Sequence, residues 1–295
     1  MFSSAKKSFL VFIGFAVVLA AGDYRLGAGS SPAAPEVVGF IYNGSQFSRF
    51  IVPGVGPGIP RGINDNGDVV AVFPHRNECF VVSMGHVSTF NVPGGRGCGA
   101  LGINQGGSVV GQYMFKEGYE GTSFVKVGAK IATLNNPNCA VIDAEGINDS
   151  NQIVGSCTPR GTTNTVGFLL SQDGSLKFLS APGASATYAR GIDGKGQVVG
   201  FFYTLDYLRK GSFAFSNGVF RTLDNPACAQ LEARGVSNKG RIVGYCEVPN
   251  RPTTIGFVLD TVTSTFETFE APGTEATLPD GINDKGQVVG TWVGK

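Results

Sequence analysis

Surplus charge is the first thing this sequence lacks. Its 23 Lys and Arg face 22 Asp and Glu, so no basic face is left to track a phosphate backbone. Nucleic acid is therefore not an expected partner. Histidine is scarce too: His75 and His86 are the only two. With no closely spaced cysteines beside them, the ligand set of a metal centre is missing, and neither a metal nor another cofactor is expected. Long apolar runs are also absent. The one clear run, residues 9–21, falls short of the roughly 20 residues that cross a bilayer. After it, no 3.6-residue hydrophobic period appears, which argues against helices.

That run reads as a secretory signal. Lys6 and Lys7 precede it, and the small residues Ala20, Ala21 and Gly22 follow it. The expected layout is a signal peptide over 1–22, a linker over 23–36 and one domain over 37–295. The product would be secreted or periplasmic, with no membrane span after signal cleavage, and a monomer.

Six cysteines in an exported chain imply disulfides. Cys139 and Cys157 occupy the same relative positions as Cys228 and Cys246. In each pair one Cys follows an Asn-Pro step and the other ends an Ile-Val-Gly-x-Cys strand. A hairpin folded between them would join each pair. Cys79 and Cys98, at nearly the same separation, make the third expected bridge.

Glycine, by contrast, is plentiful at 44 residues, and it falls in a pattern. The motif Gly62-Ile63-Asn64-Asp65-Asn66-Gly67 returns at Gly102, Gly146, Gly191, Gly235 and Gly281, at spacings of 40 to 46 residues. A fixed period of that size marks a repeat architecture. Each unit begins with a Phe strand: Phe40, Phe80, Phe124, Phe168, Phe213 and Phe257. A turn, an apolar pair and a Pro follow. Then come the Gly-Ile-Asn segment and a Val-Val-Gly strand that closes on Phe73, Tyr113, Cys157, Phe202, Cys246 or Trp292. At the two Cys positions a disulfide would replace an aromatic plug. Within the turn, Asn and Asp bond nearby backbone N–H groups and Gly supplies positive φ.

Four short strands per unit of about 44 residues predict an all-β fold, a six-bladed β-propeller. The expected units span 37–73, 78–113, 122–157, 166–202, 211–246 and 255–292. They leave few spare residues, so closure is expected without a strand borrowed from the opposite terminus.

The unit resembles the extracellular HAF repeat family of bacterial secreted proteins over residues 37–292. The resemblance rests on Gly39-Phe40-Ile41, Gly167-Phe168-Leu169 and Gly256-Phe257-Val258, the Pro-Gly steps at 53, 182 and 272, and the Gly-Ile-Asn-Asp-x-Gly turn. The family's His-Ala-Phe is here Gly-Phe, Cys-Phe or Ser-Phe. The resemblance implies an exported β-rich repeat protein and brings no catalytic residues with it.

Two sets of residues are candidates for a site. Variable loops between units carry His75, Arg76, Tyr119, Arg160, Tyr207, Arg209 and Arg251, side chains of the kind that anchor interfaces. The residue before each Gly-Ile-Asn is Arg61, Leu101, Glu145, Arg190, Arg234 or Asp280. If that strand lines a channel, Arg61, Glu145, Arg190, Arg234 and Asp280 form a mixed-charge ring. The expected function is non-catalytic binding of a glycan or protein ligand. A carbohydrate-active hydrolase or lyase is the alternative, with no spacing that singles out a carboxylate pair.

Overall fold

Alternating short strands and tight turns leave this chain one way to bury apolar surface, which is sheet against sheet. The computed structural model describes residues 36–73, 76–115, 121–206 and 210–294, within one compact unit, Pro35–Lys295. Of the signal and linker expected over 1–36, residues 1–35 lie outside the described residues. Every element among those described is a β-strand.

Four antiparallel sheets of four strands follow one another along the chain. Their first strands are Ile59–Ile63, Gly95–Ile103, Cys139–Ile147 and Ala184–Ile192. An eight-stranded sheet comes next. One half begins with Gln230–Val236 and the other with Thr274–Ile282, and a single parallel bridge, Thr254 opposite Ala276, joins the halves. A two-stranded ribbon, Ile51–Val52 with Gly56–Pro57, lies apart.

The first and last described strands meet. Val37–Tyr42 pairs antiparallel with Val288–Gly294, Phe40 lying opposite Gly290. This corrects the expectation of closure without a borrowed strand. The reason is packing: Phe40 is fully buried and stacks on Trp292 at 5.8 Å, covering an edge that Val288–Gly294 would otherwise expose.

The expected units are corrected as well. Each Phe strand pairs with the Val-Val-Gly strand of the preceding unit, as Val166–Leu170 pairs with Ile153–Pro159. Every four-stranded sheet thus takes two strands from one unit and two from the next. The Pro-Gly turn explains the offset. Gly183 holds φ at +71°, and Ala184 N–H closes the turn on the Ala181 carbonyl. The chain then leaves the outer hairpin and starts the next sheet.

All three expected disulfides are present. Cys139–Cys157 and Cys228–Cys246 each clamp a hairpin within one sheet. Cys79–Cys98 instead ties the third strand of one sheet to the first strand of the next. The core lies between sheets. Phe40, Phe80, Phe124, Phe168, Phe213 and Phe257 are all buried; their clusters mix neighbouring sheets, such as Val70 and Cys79 with Val109 and Phe124, or, for Phe40, the two halves of the eight-stranded sheet.

The repeated glycine is a contact point between sheets. A Cβ on Gly62 would sit 2.7 Å from the Leu101 carbonyl oxygen, one on Gly146 2.8 Å from that of Arg190, and one on Gly281 3.1 Å from that of Arg61. Each first strand packs on the next, and Thr274–Ile282 packs on Ile59–Ile63, so the cycle closes.

The repeated Asn stitches the same cycle. Its Oδ1 accepts an N–H of its own turn, as Asn64 does from Asp68. Its Nδ2 donates to the neighbouring turn: Asn64 to the Asn104 carbonyl, Asn104 to Asn148, Asn148 to Asp193, and Asn283 to Asn64. Asp193 and Ser237 stand where the other copies have Asn, and neither side chain carries an amide donor. Burial also raises the Asp193 pKa against the opposing pull of its turn N–H groups. Asp193→Asn should therefore supply the missing stitch and stabilise the fold by about 1 kcal/mol. Thermal melts of the two proteins check this; an unchanged or lower midpoint in the variant would refute it.

Candidate functional site

In a strand, residues two apart share a face. Counting from the repeated Gly, positions minus one and plus one of all six first strands line one cavity of about 90 Å³. Its wall carries Arg61, Leu101, Glu145, Arg190, Arg234 and Asp280, then a collar of Ile63, Ile103, Ile147, Ile192, Val236 and Ile282. The collar also lines a second cavity of about 70 Å³, ringed by turn residues including Asp65, Asp149 and Asp284.

The charged level lies on the loop side of the collar. Cys139 opposes Pro159 at one end of its hairpin, whereas Ile147 opposes Ile153 at the turn end. The loop after Pro159 therefore shares its end with the start of the first strand.

Charges at this level are paired into two groups. Asp280 joins Arg61 at 3.1 Å and Arg234 at 3.5 Å. Arg234 bonds Glu232 at 2.7 Å, and Glu232 bonds Lys210 at 3.1 Å. Arg190 pairs with Glu145 and lies over the Phe201 ring, its carbon 5.3 Å from the centroid. Arg234 also donates to the Tyr245 hydroxyl. Lys210–Glu232 and Arg234–Asp280 cross the two seams that lack an Asn stitch, while Arg190–Glu145 and Arg61–Asp280 cross two seams that have one.

Burial sets the titration behaviour. It would push Glu232 up, but the Arg234, Lys210 and Arg190 charges outweigh it and leave the carboxyl at about 2. Burial would also lower Lys210, yet Glu232 beside it holds the ammonium above its usual value. Tyr245 is raised, by burial first and by Glu232 next, so it is a poor phenolate. Asp143 is the opposite case to Glu232. Burial and the nearby Glu145 raise it to about 6, against the pull of Arg190.

This has a pH consequence. The folded state holds the Asp143 proton more tightly than the unfolded chain does. The associated stability is present below about 3.8 and is lost as pH rises through about 6. Asp143→Asn should remove that loss, raising stability by about 2 kcal/mol near neutral pH and little near pH 4. Melting curves across that range test it; an equal gain at both ends would contradict it.

The ring candidates Arg61, Glu145, Arg190, Arg234 and Asp280 all face the one cavity. The loop candidates among the described residues do not join them. Arg160 donates to the Pro137 carbonyl, Arg251 pairs with Glu270 at the surface, and Arg76 is exposed. His75, Tyr119, Tyr207 and Arg209 lie outside the described residues. Sequence reasoning missed Asp143, Glu232 and Tyr245. The signal for the first two was available: they sit two residues before Glu145 and Arg234 on the same strand face.

Sheets that present their first strands to one channel define a β-propeller. No protein-family model and no curated protein matches the chain. Solved structures do match its fold. A putative TolB from Agrobacterium tumefaciens superposes with a TM-score of 0.64 at 8% identity, over 89% of this chain and 99% of that one. TolB from Acinetobacter baumannii gives 0.58 at 12% identity, over 88% and 66%. A gluconolactonase from Xanthomonas campestris gives 0.50 at 10% identity, over 90% and 97%. At such identities the likeness is one of fold.

Proposed function

We propose that this chain is an exported six-bladed β-propeller of the HAF repeat type that binds a glycan or protein ligand at the loop-side mouth of its channel, without turnover. The observation that carries the reading is the convergence of Arg61, Glu145, Arg190, Arg234 and Asp280 on one cavity. Support for six blades comes from the closed cycle of first strands and from the two four-stranded halves of the eight-stranded sheet. Three disulfides favour an oxidising compartment, outside the cytoplasm. For the signal over 1–22 and for a monomeric state, the support remains that of the sequence. Binding rather than catalysis is favoured because Glu232, Arg234 and Asp280 are locked in ion pairs and Tyr245 resists ionisation.

One observation favours the second reading, a carbohydrate-active hydrolase or lyase. Asp143, at about 6, holds a proton in the range a general acid needs. A glycan array run beside a polysaccharide-degradation screen separates the two. Retention of a ligand without product supports binding; product formation that is lost in Asp143→Asn establishes the enzyme.

A further inference from the structure

Independently of the binding reading above, we propose that Cys228–Cys246 is a thiol-exchange site. A dithiol reductant opens this bridge while the other two stay closed, and the strand carrying Glu232 and Arg234 loosens. Five of the six cysteines lie within strands and are at most 4% exposed. Cys228 is the exception. It is partly exposed and stands two residues ahead of its strand, Gln230–Val236. Exchange requires a thiolate to reach a sulfur, so access sets which bridge reacts first.

The sequence explains the difference from the matching bridge, Cys139–Cys157. The two turns are built alike: the Cys139 N–H closes on the Asn136 carbonyl and the Cys228 N–H on that of Asn225. Arg160 straps the first turn. Its backbone N–H donates to the Asn138 carbonyl at 3.0 Å and its Nε to the Pro137 carbonyl at 2.9 Å. Cys139 then joins the ladder opposite Pro159. Arg160 stands three residues after Cys157. Three residues after Cys246 stands Pro249, which has no N–H and no side-chain donor. Arg251, further along, pairs with Glu270 instead. The turn at Cys228 therefore has neither strap bond, and its ladder begins only at Gln230, opposite Glu247.

In the exchange, a thiolate of the reductant attacks Cys228 Sγ, a new S–S bond forms, and Cys246 leaves as a thiolate that takes up a proton. The second thiol of the reductant then displaces Cys228. The bridge gains two electrons and two protons, and the dithiol becomes a disulfide. The consequence lies in the strand that follows. Cys228 is held by the bridge and its own turn, not by the ladder. Gln230, the first ladder residue, accepts from the Lys210 N–H and donates to Glu247. Glu232 and Arg234 lie two and four residues further on. Releasing Cys228 lets this end fray toward the ion pairs of the channel wall.

Reduction of the native protein with dithiothreitol, quenched by alkylation at intervals and mapped by mass spectrometry, tests this. Cys228 and Cys246 should be labelled together, roughly tenfold or more faster than the other four cysteines, whose sulfurs wait for local opening. Arg160→Pro, which gives the Cys139 turn the residue that follows Cys246, should make Cys139–Cys157 a second fast bridge. In the singly reduced protein, hydrogen exchange should rise over Gln230–Val236 and stay unchanged over Cys139–Ile147. The proposal is overturned if another bridge opens first, if all three open together or none opens, or if exchange over Gln230–Val236 does not change. Should Arg160→Pro fail to fold, the order of labelling in the wild type still decides. None of these outcomes bears on ligand retention, so the binding reading stands or falls separately.

Discussion

Glu232→Gln should lower the melting temperature by roughly 10 °C, from a loss of about 3 kcal/mol. Glu232 is buried between Arg234 and Lys210. Neutralising it leaves Lys210 without its carboxylate and Arg234 with the Tyr245 hydroxyl and a single carboxylate, Asp280 at 3.5 Å. Breaking one side of a buried pair is costly because the remaining charge stays desolvated. The contrast is Arg49–Glu36, more than half exposed on both sides, where Arg49→Ala should cost well under about 1 kcal/mol. The sign with pH is fixed by the depressed carboxyl. Its stabilisation is present above the unfolded value of 4.5 and is lost as pH falls toward about 2. The gap between wild type and Glu232→Gln should therefore narrow over that interval. A gap that stays constant would mean the glutamine fails by packing and not by charge.

Gly146→Ala is the second large effect, a loss of about 2 kcal/mol. The new methyl would lie 2.8 Å from the Arg190 carbonyl oxygen and 3.1 Å from Val154 Cγ2. Both belong to packed strands, and neither is the loose end of a flexible side chain. Relief requires two sheets to part, and the cycle offers no free edge to absorb the shift. Gly174→Ala is the control. It sits at an open hairpin tip with nothing within 4 Å, but at φ +86°. It should lose only about 1 kcal/mol, the cost of a left-handed conformation for an L-residue. Chemical denaturation of both variants checks the order. If the two glycines prove equal, the contact between sheets is not what the repeated Gly protects.

Much of this was legible from the repeat. The positions of the buried Phe, the positive-φ glycines and the disulfide partners follow from aligning six copies. So does the ring at minus one, because one offset in a repeat places six residues at one level. The turn Asn was legible only in part. Its bond to its own turn is local chemistry, but the stitch to the next sheet needs a neighbour that no single unit contains. The pairing of Phe40 with Gly290 was not legible for the same reason. It is decided by which exposed edge remains when the last strand is laid down. Asp143, Tyr188 and Glu232 escaped notice because their position holds Ile59, Gly99 and Leu278 in the other copies. A position without a shared residue type gives no pattern, although strand periodicity puts it beside the charged ring.

A channel on the axis of a repeat offers one site, whereas sites on the sheets or loops would recur with the repeat. The stoichiometry of a calorimetric titration with the ligand from the glycan array therefore tests the central claim directly. One ligand per chain is the expected result. Several equivalent ligands per chain would contradict it and move the site from the channel mouth to the repeated surfaces.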